Sequence, residues 1–400
     1  MENMTSRAWI ELDRAALRHN VEALRSLLPG GCELMPAVKA NAYGHGALLI
    51  ARELNALGVR AFCVATAQEG AELREGGVTG DILILGYTAP CELDLLRRFD
   101  LIQTVVNGAY ASELNNYGKP LRVHLKIDTG MRRLGERTEQ IDRMIAIFGC
   151  RNLLVEGVYT HLCADDAKTE RNAVFTHTQA AAFHYAVSEL ERRGCSCGKK
   201  HLLASCGLLN YPELGGKYAR VGIALYGVLS NRSDLAHCPI ALNPVLSLKA
   251  RIALVKDVHR GESVGYGQAY TADRDRRIAV LAIGYADGLP RGISNGKGRA
   301  LMNGTAAPII GRICMDQTIV DVSEIPAARQ GGIAVIIGKS GASEIRAYDI
   351  AEQSGTITNE VLSRLGFRLA RTIREKARQD EEAADKNVKF IQVTPSVLEI

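Results

Sequence analysis

The chain has 400 residues, 47% of them hydrophobic and 23% charged, which excludes a disordered, collagenous or fibrous protein. Lys plus Arg (49) outnumber Asp plus Glu (44) slightly, with no dense basic stripe, so nucleic acid is not an expected partner. No apolar run reaches the ~18 residues that span a bilayer, and MENMTSRAWIELD carries no basic segment ahead of an apolar one. A cytoplasmic chain without membrane contact of its own is expected. Its 10 cysteines then read as reduced, mostly buried thiols. Cys195 and Cys197 form a C-x-C with no second pair at zinc-site spacing, so no metal is expected.

In chain order, DRAALRHNVEALRSLL places Leu17, Val21, Leu24 and Leu28 on one stripe behind an Asp13 cap, which predicts a helix. Eight near-continuous apolar runs follow: 32–40, 62–67, 81–86, 102–106, 121–128, 155–162, 201–205 and 219–227. Each reads as a strand buried on both faces, and amphipathic stretches lie between them. This α/β pattern suits an N-terminal (β/α)8 barrel, although strand count alone also fits a doubly wound sheet. After Asn243-Pro244 the texture changes to strand-like runs joined by Gly-rich turns, the pattern of a mostly-β domain. A helical pair is expected in AYDIAEQSG and NEVLSRLGFRLARTIREKARQ. The expected domains are thus 1–240 (barrel), 241–376 (β domain) and 377–400 (a loosely held charged tail).

Chemistry in a barrel gathers at the C-terminal strand ends. Here those ends carry Lys39, Lys126 with Asp128, His161, Ser205 and Arg220. Lys39 reads either as a lysine leaving the barrel for water or as a partly desolvated amine suited to Schiff-base formation. Tyr43-Gly44-His45-Gly46 just beyond it forms a turn built for close approach to a ligand. Arg220-Val221-Gly222-Ile223, with Ser205, could set N–H and hydroxyl groups against a phosphate. An amine beside a phosphate cradle fits pyridoxal phosphate, and equally an aldolase with a phosphorylated substrate.

Six motifs narrow this. PAVKANAYGHG, KIDTGMRRLG, YARVGIALYG, GYGQAYTA, IGYADG and GRICMDQ, in this order between Trp9 and about Arg371, resemble the alanine racemase family of pyridoxal-phosphate enzymes. The resemblance implies a barrel, a C-terminal β domain and a head-to-tail homodimer whose active sites each combine one subunit's barrel with the other's β domain. It implies pyridoxal 5'-phosphate as cofactor and a small amino acid as substrate. Lys39 matches the lysine that carries the cofactor and serves as one base; Tyr266 matches the opposing base, given by the partner subunit. His161 and Arg220 match the groups that assist that tyrosine, and Arg220 also faces the pyridine nitrogen. A guanidinium cannot pass a proton to that ring, which leaves a weaker electron sink and favours simple proton exchange over transamination. Tyr43, Ser205, Gly222 and Ile223 match phosphate contacts. Arg133 and the Met315 N–H match substrate-carboxylate contacts, and Lys126 matches a lysine carbamylated in many members, orienting Arg133. Asp166, Tyr285, Arg312 and Ile357 match the substrate's access corridor.

One position departs from the family. Where most members read T-I-N-Y-E-V, this chain reads Thr356-Ile357-Thr358-Asn359-Glu360-Val361. The family's tyrosine bonds the cofactor phosphate and crowds the substrate methyl; asparagine is smaller and both donates and accepts. Asn359 or Thr358 could instead simply cap the helix beginning there. The asparagine resembles the serine racemase domains of vancomycin-resistance systems, which make D-serine for altered cell-wall precursors and usually carry a membrane domain. This chain is expected to be the cytoplasmic portion of such a protein or a soluble relative. The expected activity is interconversion of L- and D-serine and L- and D-alanine, with a strict alanine racemase as alternative. A barrel-type basic amino-acid decarboxylase would place an acid where Arg220 stands, and a non-enzymatic pyridoxal-phosphate carrier would lack the β domain.

Overall fold

The computed structural model describes residues 6–164 and 169–375. Two compact units emerge: Leu17–Asn243, and the residues up to Ala16 together with those from Pro244 onward.

The Leu17–Asn243 unit is a barrel of parallel strands. Pairing runs from Ala61–Val64 to Asp81–Ile84, Ile102–Val105, Leu121–Asp128, Leu153–Tyr159 and Lys199–His201. The ring closes through Tyr218–Ala219 and Glu33–Leu34, which pair with each other, by bridges at Ala204–Arg220 and Ala37–Cys63. The eight-strand reading therefore holds, with the doubly wound alternative excluded. Met35, Ala37, Cys63, Leu83, Ile102 and Tyr159 pack together as buried core. Several strands are shorter than their apolar runs: 219–227 ends as a strand at Ala219, and Ile223–Tyr226 is a 3-10 turn. Apolar character persists there because the turn is itself buried.

The second unit is built on one long strand, Leu246–Val258. Its first half pairs antiparallel with Ala8–Asp13 and Ile333–Ser340; beyond a bulge at 252–254 its second half pairs with Arg276–Leu281. Strand Ala8–Asp13 belongs to the β unit, because its neighbours are Leu246–Val258 on one side and Ala370–Arg374, in parallel, on the other. The two compact units divide at 243/244. The long final helix is corrected: helix Thr358–Ser363 is short, and Ala370–Arg374 is a strand whose Thr372 is buried. Asp13 does cap helix Arg14–Arg25, its carboxylate accepting from Ala16 N–H at 2.9 Å. The expected tail lies outside the described residues.

Candidate active site

The barrel unit brings Lys39, Tyr43, Lys126, Arg133, His161, Ser205, Arg220, Gly222 and Ile223 to the C-terminal ends of its strands or the turns that follow. Arg220, fully buried, is the most constrained. Its Nη2 donates to Thr160 O at 2.6 Å, its Nη1 meets His201 Nδ1 at 2.5 Å, and its guanidinium lies 4.9 Å from the Tyr159 ring centre. The Tyr159 ring stacks on His201, and the Tyr159 hydroxyl meets Thr104 Oγ1 at 2.9 Å.

Positive charge dominates this end. Burial pushes His161 down to about 3, reinforced by Arg220, Lys126, Arg133 and Lys39, so the imidazole is neutral. Burial also lowers the Lys126 amine to about 8, helped by Arg133, Arg220 and Lys39 and opposed by Asp128. Asp128 organises the loop beside it, its Oδ1 accepting from Gly130 and Arg132 N–H groups at 3.0 Å. Among the described residues, these cations with Asp128 as the opposing carboxylate make a place for anionic groups.

A side chain at Gly222 would displace Tyr43. A Cβ there would stand 2.7 Å from Tyr43 Oη. Gly222 N–H donates to Ser205 Oγ at 2.9 Å, and burial raises the Tyr43 phenol to about 12, which keeps it a donor. Phenol, hydroxyl and backbone N–H groups, with an amine at Lys39 and a guanidinium at Arg220, are the donor set a phosphorylated pyridine aldehyde needs. The residues fit pyridoxal phosphate.

The C-terminal unit carries Tyr266, Tyr285, Arg312, Met315, Ile357 and Asn359. Tyr266 sits on the tip between strands Ser263–Val264 and Tyr270–Thr271, flanked by Gly265 (φ 76) and Gly267 (φ 65), and is 68% exposed. The Arg312 guanidinium lies where a Cβ on Gly267 would be 3.0 Å away, and it lines a cavity of about 230 Å3 with Arg291 and Lys297. Tyr285 and Met315 are both exposed and tied together: Ala286 N–H donates to Met315 O, and Tyr285 N–H to Cys314 O. Buried Asp287 fixes their turn by accepting from Gly284 N–H and Arg7. Ile357 is exposed at the cap position of helix Thr358–Ser363. Asp166 lies outside the described residues.

Asn359 does not cap that helix. The cap residue is Ile357, without a side-chain bond, and Asn359 stands two positions inside. Its Oδ1 and the Thr358 Oγ1 are buried without hydrogen-bond partners. Residues the sequence reading passed over are His124 and His201 behind Arg220; a histidine inside an apolar strand was the available signal.

The chain matches the family model "Alanine racemase, N-terminal domain" over residues 12–230 and "Alanine racemase, C-terminal domain" over 245–373. It is 42% identical over 365 residues to an amino-acid racemase of Enterococcus faecalis, covering 91% of this chain and 51% of that protein. It is 38% identical to a serine/alanine racemase of Enterococcus gallinarum, covering 92% and 52% respectively. The chain thus spans about half the length of these two relatives. The crystal structure of alanine racemase from Bacillus anthracis with bound L-Ala-P superposes with a TM-score of 0.88 at 30% identity, covering 94% of this chain and 97% of that one. A closed parallel barrel, a mostly-β unit after it, and both matched domains lead to one conclusion: the chain belongs to the alanine racemase family of pyridoxal-phosphate enzymes.

Proposed function

We propose that the chain is a pyridoxal-phosphate-dependent racemase acting on serine as well as alanine. Racemisation is supported above all by a buried arginine, Arg220, held by a neutral histidine, His201, at the barrel end that carries Lys39. The cofactor, when bound, draws electrons from the amino acid's α-carbon and so acidifies its α-proton. Lys39 Nζ exchanges that proton on one face and Tyr266 Oη on the other, the tyrosine coming from the partner subunit of a head-to-tail homodimer. The exposure of Tyr266, Tyr285, Met315 and Ile357 in one chain is consistent with their serving a partner's barrel. His161, neutral at working pH, and Arg220 hold the tyrosine's proton in balance. Arg220 donates without giving up its proton. Arg133 and the Met315 N–H hold the substrate carboxylate. Lys126, with its lowered amine, is suited to carbamylation, which would give Arg133 a negative partner.

Serine enters the reading through Asn359. The buried, unpartnered Oδ1 is an acceptor of the kind a substrate hydroxyl satisfies, and leaving such a group unpaired costs about 1–3 kcal/mol. The serine/alanine racemase name of the E. gallinarum relative agrees with this. D-Serine or D-alanine so formed would supply cell-wall precursors in the cytoplasm, including the altered precursors of vancomycin resistance. Strict alanine specificity is the second reading, favoured by the likeness to the B. anthracis enzyme. Incubation of the cofactor-loaded chain with L-serine or L-alanine in D2O tests the activity. Both enantiomers should emerge α-deuterated; retention of α-hydrogen in both substrates would refute a racemase.

A further inference from the structure

The segment following Lys39 has a backbone that its surroundings must hold. Ala40, Asn41, Ala42 and Tyr43 have φ of 51°, 53°, 53° and 50°, and Gly44 closes the run at 80°. Left-handed geometry is disfavoured for every L residue with a Cβ, and among these four only asparagine tolerates it well. Such a run persists where neighbouring groups over-determine it.

Two side chains grip its ends. At the lysine end, Glu69 Oε1 accepts from Ala40 N–H at 2.7 Å, while its Oε2 accepts from Ala65 N–H at 2.6 Å. Glu69 stands three residues after Thr66, whose Oγ1 caps helix Ala67–Glu75 by accepting from Glu69 N–H. This T-x-x-E spacing is that of a capping box, in which the glutamate would turn back to the Thr66 N–H. It reaches instead to the turn, 29 residues away in sequence. At the tyrosine end, buried His45 places Nδ1 3.0 Å from both Ala42 O and Tyr43 O. Both partners are carbonyls, so Nδ1 carries the proton. The His45 ring stacks on Tyr226 at 4.3 Å, and the Tyr226 hydroxyl donates to Ala37 O at 2.9 Å, anchoring the clamp to the barrel wall.

We propose that Glu69 and His45 are positioning residues. Together they lock the left-handed turn 40–44 so that the Lys39 amine and the Tyr43 hydroxyl stand at the separation one phosphorylated aldehyde spans. The proposal rests on the cofactor reading above and extends it to two residues outside the cradle.

The test compares Glu69→Gln, His45→Ala and His45→Asn with the unaltered chain, each stripped of cofactor. Glutamine offers one acceptor oxygen and so serves one of the two N–H groups; asparagine restores a donor near the place of Nδ1. Amide hydrogen exchange across 40–46 reads the clamp itself, and should quicken at least tenfold in Glu69→Gln and His45→Ala. Titration with pyridoxal phosphate and with pyridoxal reads its purpose. The unaltered chain should prefer the phosphorylated form, and that preference should shrink at least fivefold in both variants and recover in part in His45→Asn. A merely structural role would lower the melting temperature and leave the preference ratio unchanged, and that result overturns the proposal. Unchanged exchange at 40–46 overturns it as well. Should Glu69→Gln fail to fold, Glu69→Asp, too short to reach both N–H groups, takes its place with the same expected outcomes. If the unaltered chain bound neither aldehyde, the racemase reading would fall, while exchange would still decide the clamp.

Discussion

Arg220 and His201 are joined Nη1 to Nδ1 at 2.5 Å, and His201 Nε2 in turn lies 2.9 Å from His124 Nδ1. An arginine can only donate, so His201 Nδ1 accepts and its proton sits on Nε2. That N–H donates to His124 Nδ1, which leaves the His124 proton on Nε2, a buried atom with no partner. Arg220 thereby sets both tautomers. Burial, then the charge of Arg220, holds His201 well below the usual imidazole range; burial, then Lys199, pushes His124 down to about 3.

Both rings should therefore be neutral Nε2–H tautomers throughout pH 5–8 in nitrogen-resolved NMR. Titration of either near pH 6.5 would contradict the chain of bonds. Unfolding frees these rings to bind protons below about 6.5, so for His124 the unfolded state binds more protons than the folded one between about 3 and 6.5, and His201 acts in the same direction. Folding stability should fall as pH drops through that window. Replacing His124 by Gln should flatten the slope of unfolding free energy against pH.

Gly222→Ala should spare the fold and injure the cradle. The added methyl meets the Tyr43 hydroxyl at 2.7 Å, so the phenol must move. Cofactor affinity should weaken about tenfold or more, about 1.4 kcal/mol, in a titration of the visible band. Unchanged affinity would remove Tyr43 and Gly222 from the cofactor site.

At the opposite ends of the strands, Arg122 ties Asp81 at 2.7 Å and Glu156 at 2.6 Å, and Lys199 reaches Asp81 at 2.7 Å. Burial opposes ionisation of Asp81, but the bonds from Lys199 and Arg122 outweigh it and hold the carboxyl at about 2. This contribution is present above the unfolded value near 3.8 and is lost as pH falls from about 4 to about 2. Asp81→Asn should cost about 1–3 kcal/mol in urea at pH 7, with the gap narrowing towards pH 2. A gap that stays constant with pH would refute the assignment.

Lys39→Ala should abolish the visible band of the bound cofactor. Tyr266→Phe should keep that band but slow turnover of the L-isomer by about 10²-fold or more. Equal turnover in Tyr266→Phe and the unaltered chain would remove the second base.

Much of this architecture is legible in the sequence because buried strands announce themselves as apolar runs. The run 219–227 misleads beyond Ala219: Gly222 N–H goes to Ser205 Oγ instead of a strand ladder. Strand Ala8–Asp13 escapes assignment because a single strand next to a helix does not state which sheet it joins. NEVLSRLGFRLARTIR looks helical by spacing, but Gly366 follows the short helix and Ala370–Arg374 completes the sheet edge. In the site, Lys39, Tyr43 and Arg220 are visible by motif. Glu69 is not, since T-x-x-E reads as a capping box, and Ala-Asn-Ala-Tyr gives little sign of a left-handed turn.

The most direct test of the substrate assignment is the initial racemisation rate for L-serine and L-alanine, side by side, in the cofactor-loaded chain and in Asn359→Tyr. A pocket excludes an added hydroxyl by only on the order of 10²-fold, so one wall residue can shift the preference. Serine turnover should be comparable to or above alanine turnover in the unaltered chain and should fall more than alanine turnover in Asn359→Tyr. Activity on alanine alone, or a serine-to-alanine ratio unmoved by the substitution, would contradict it.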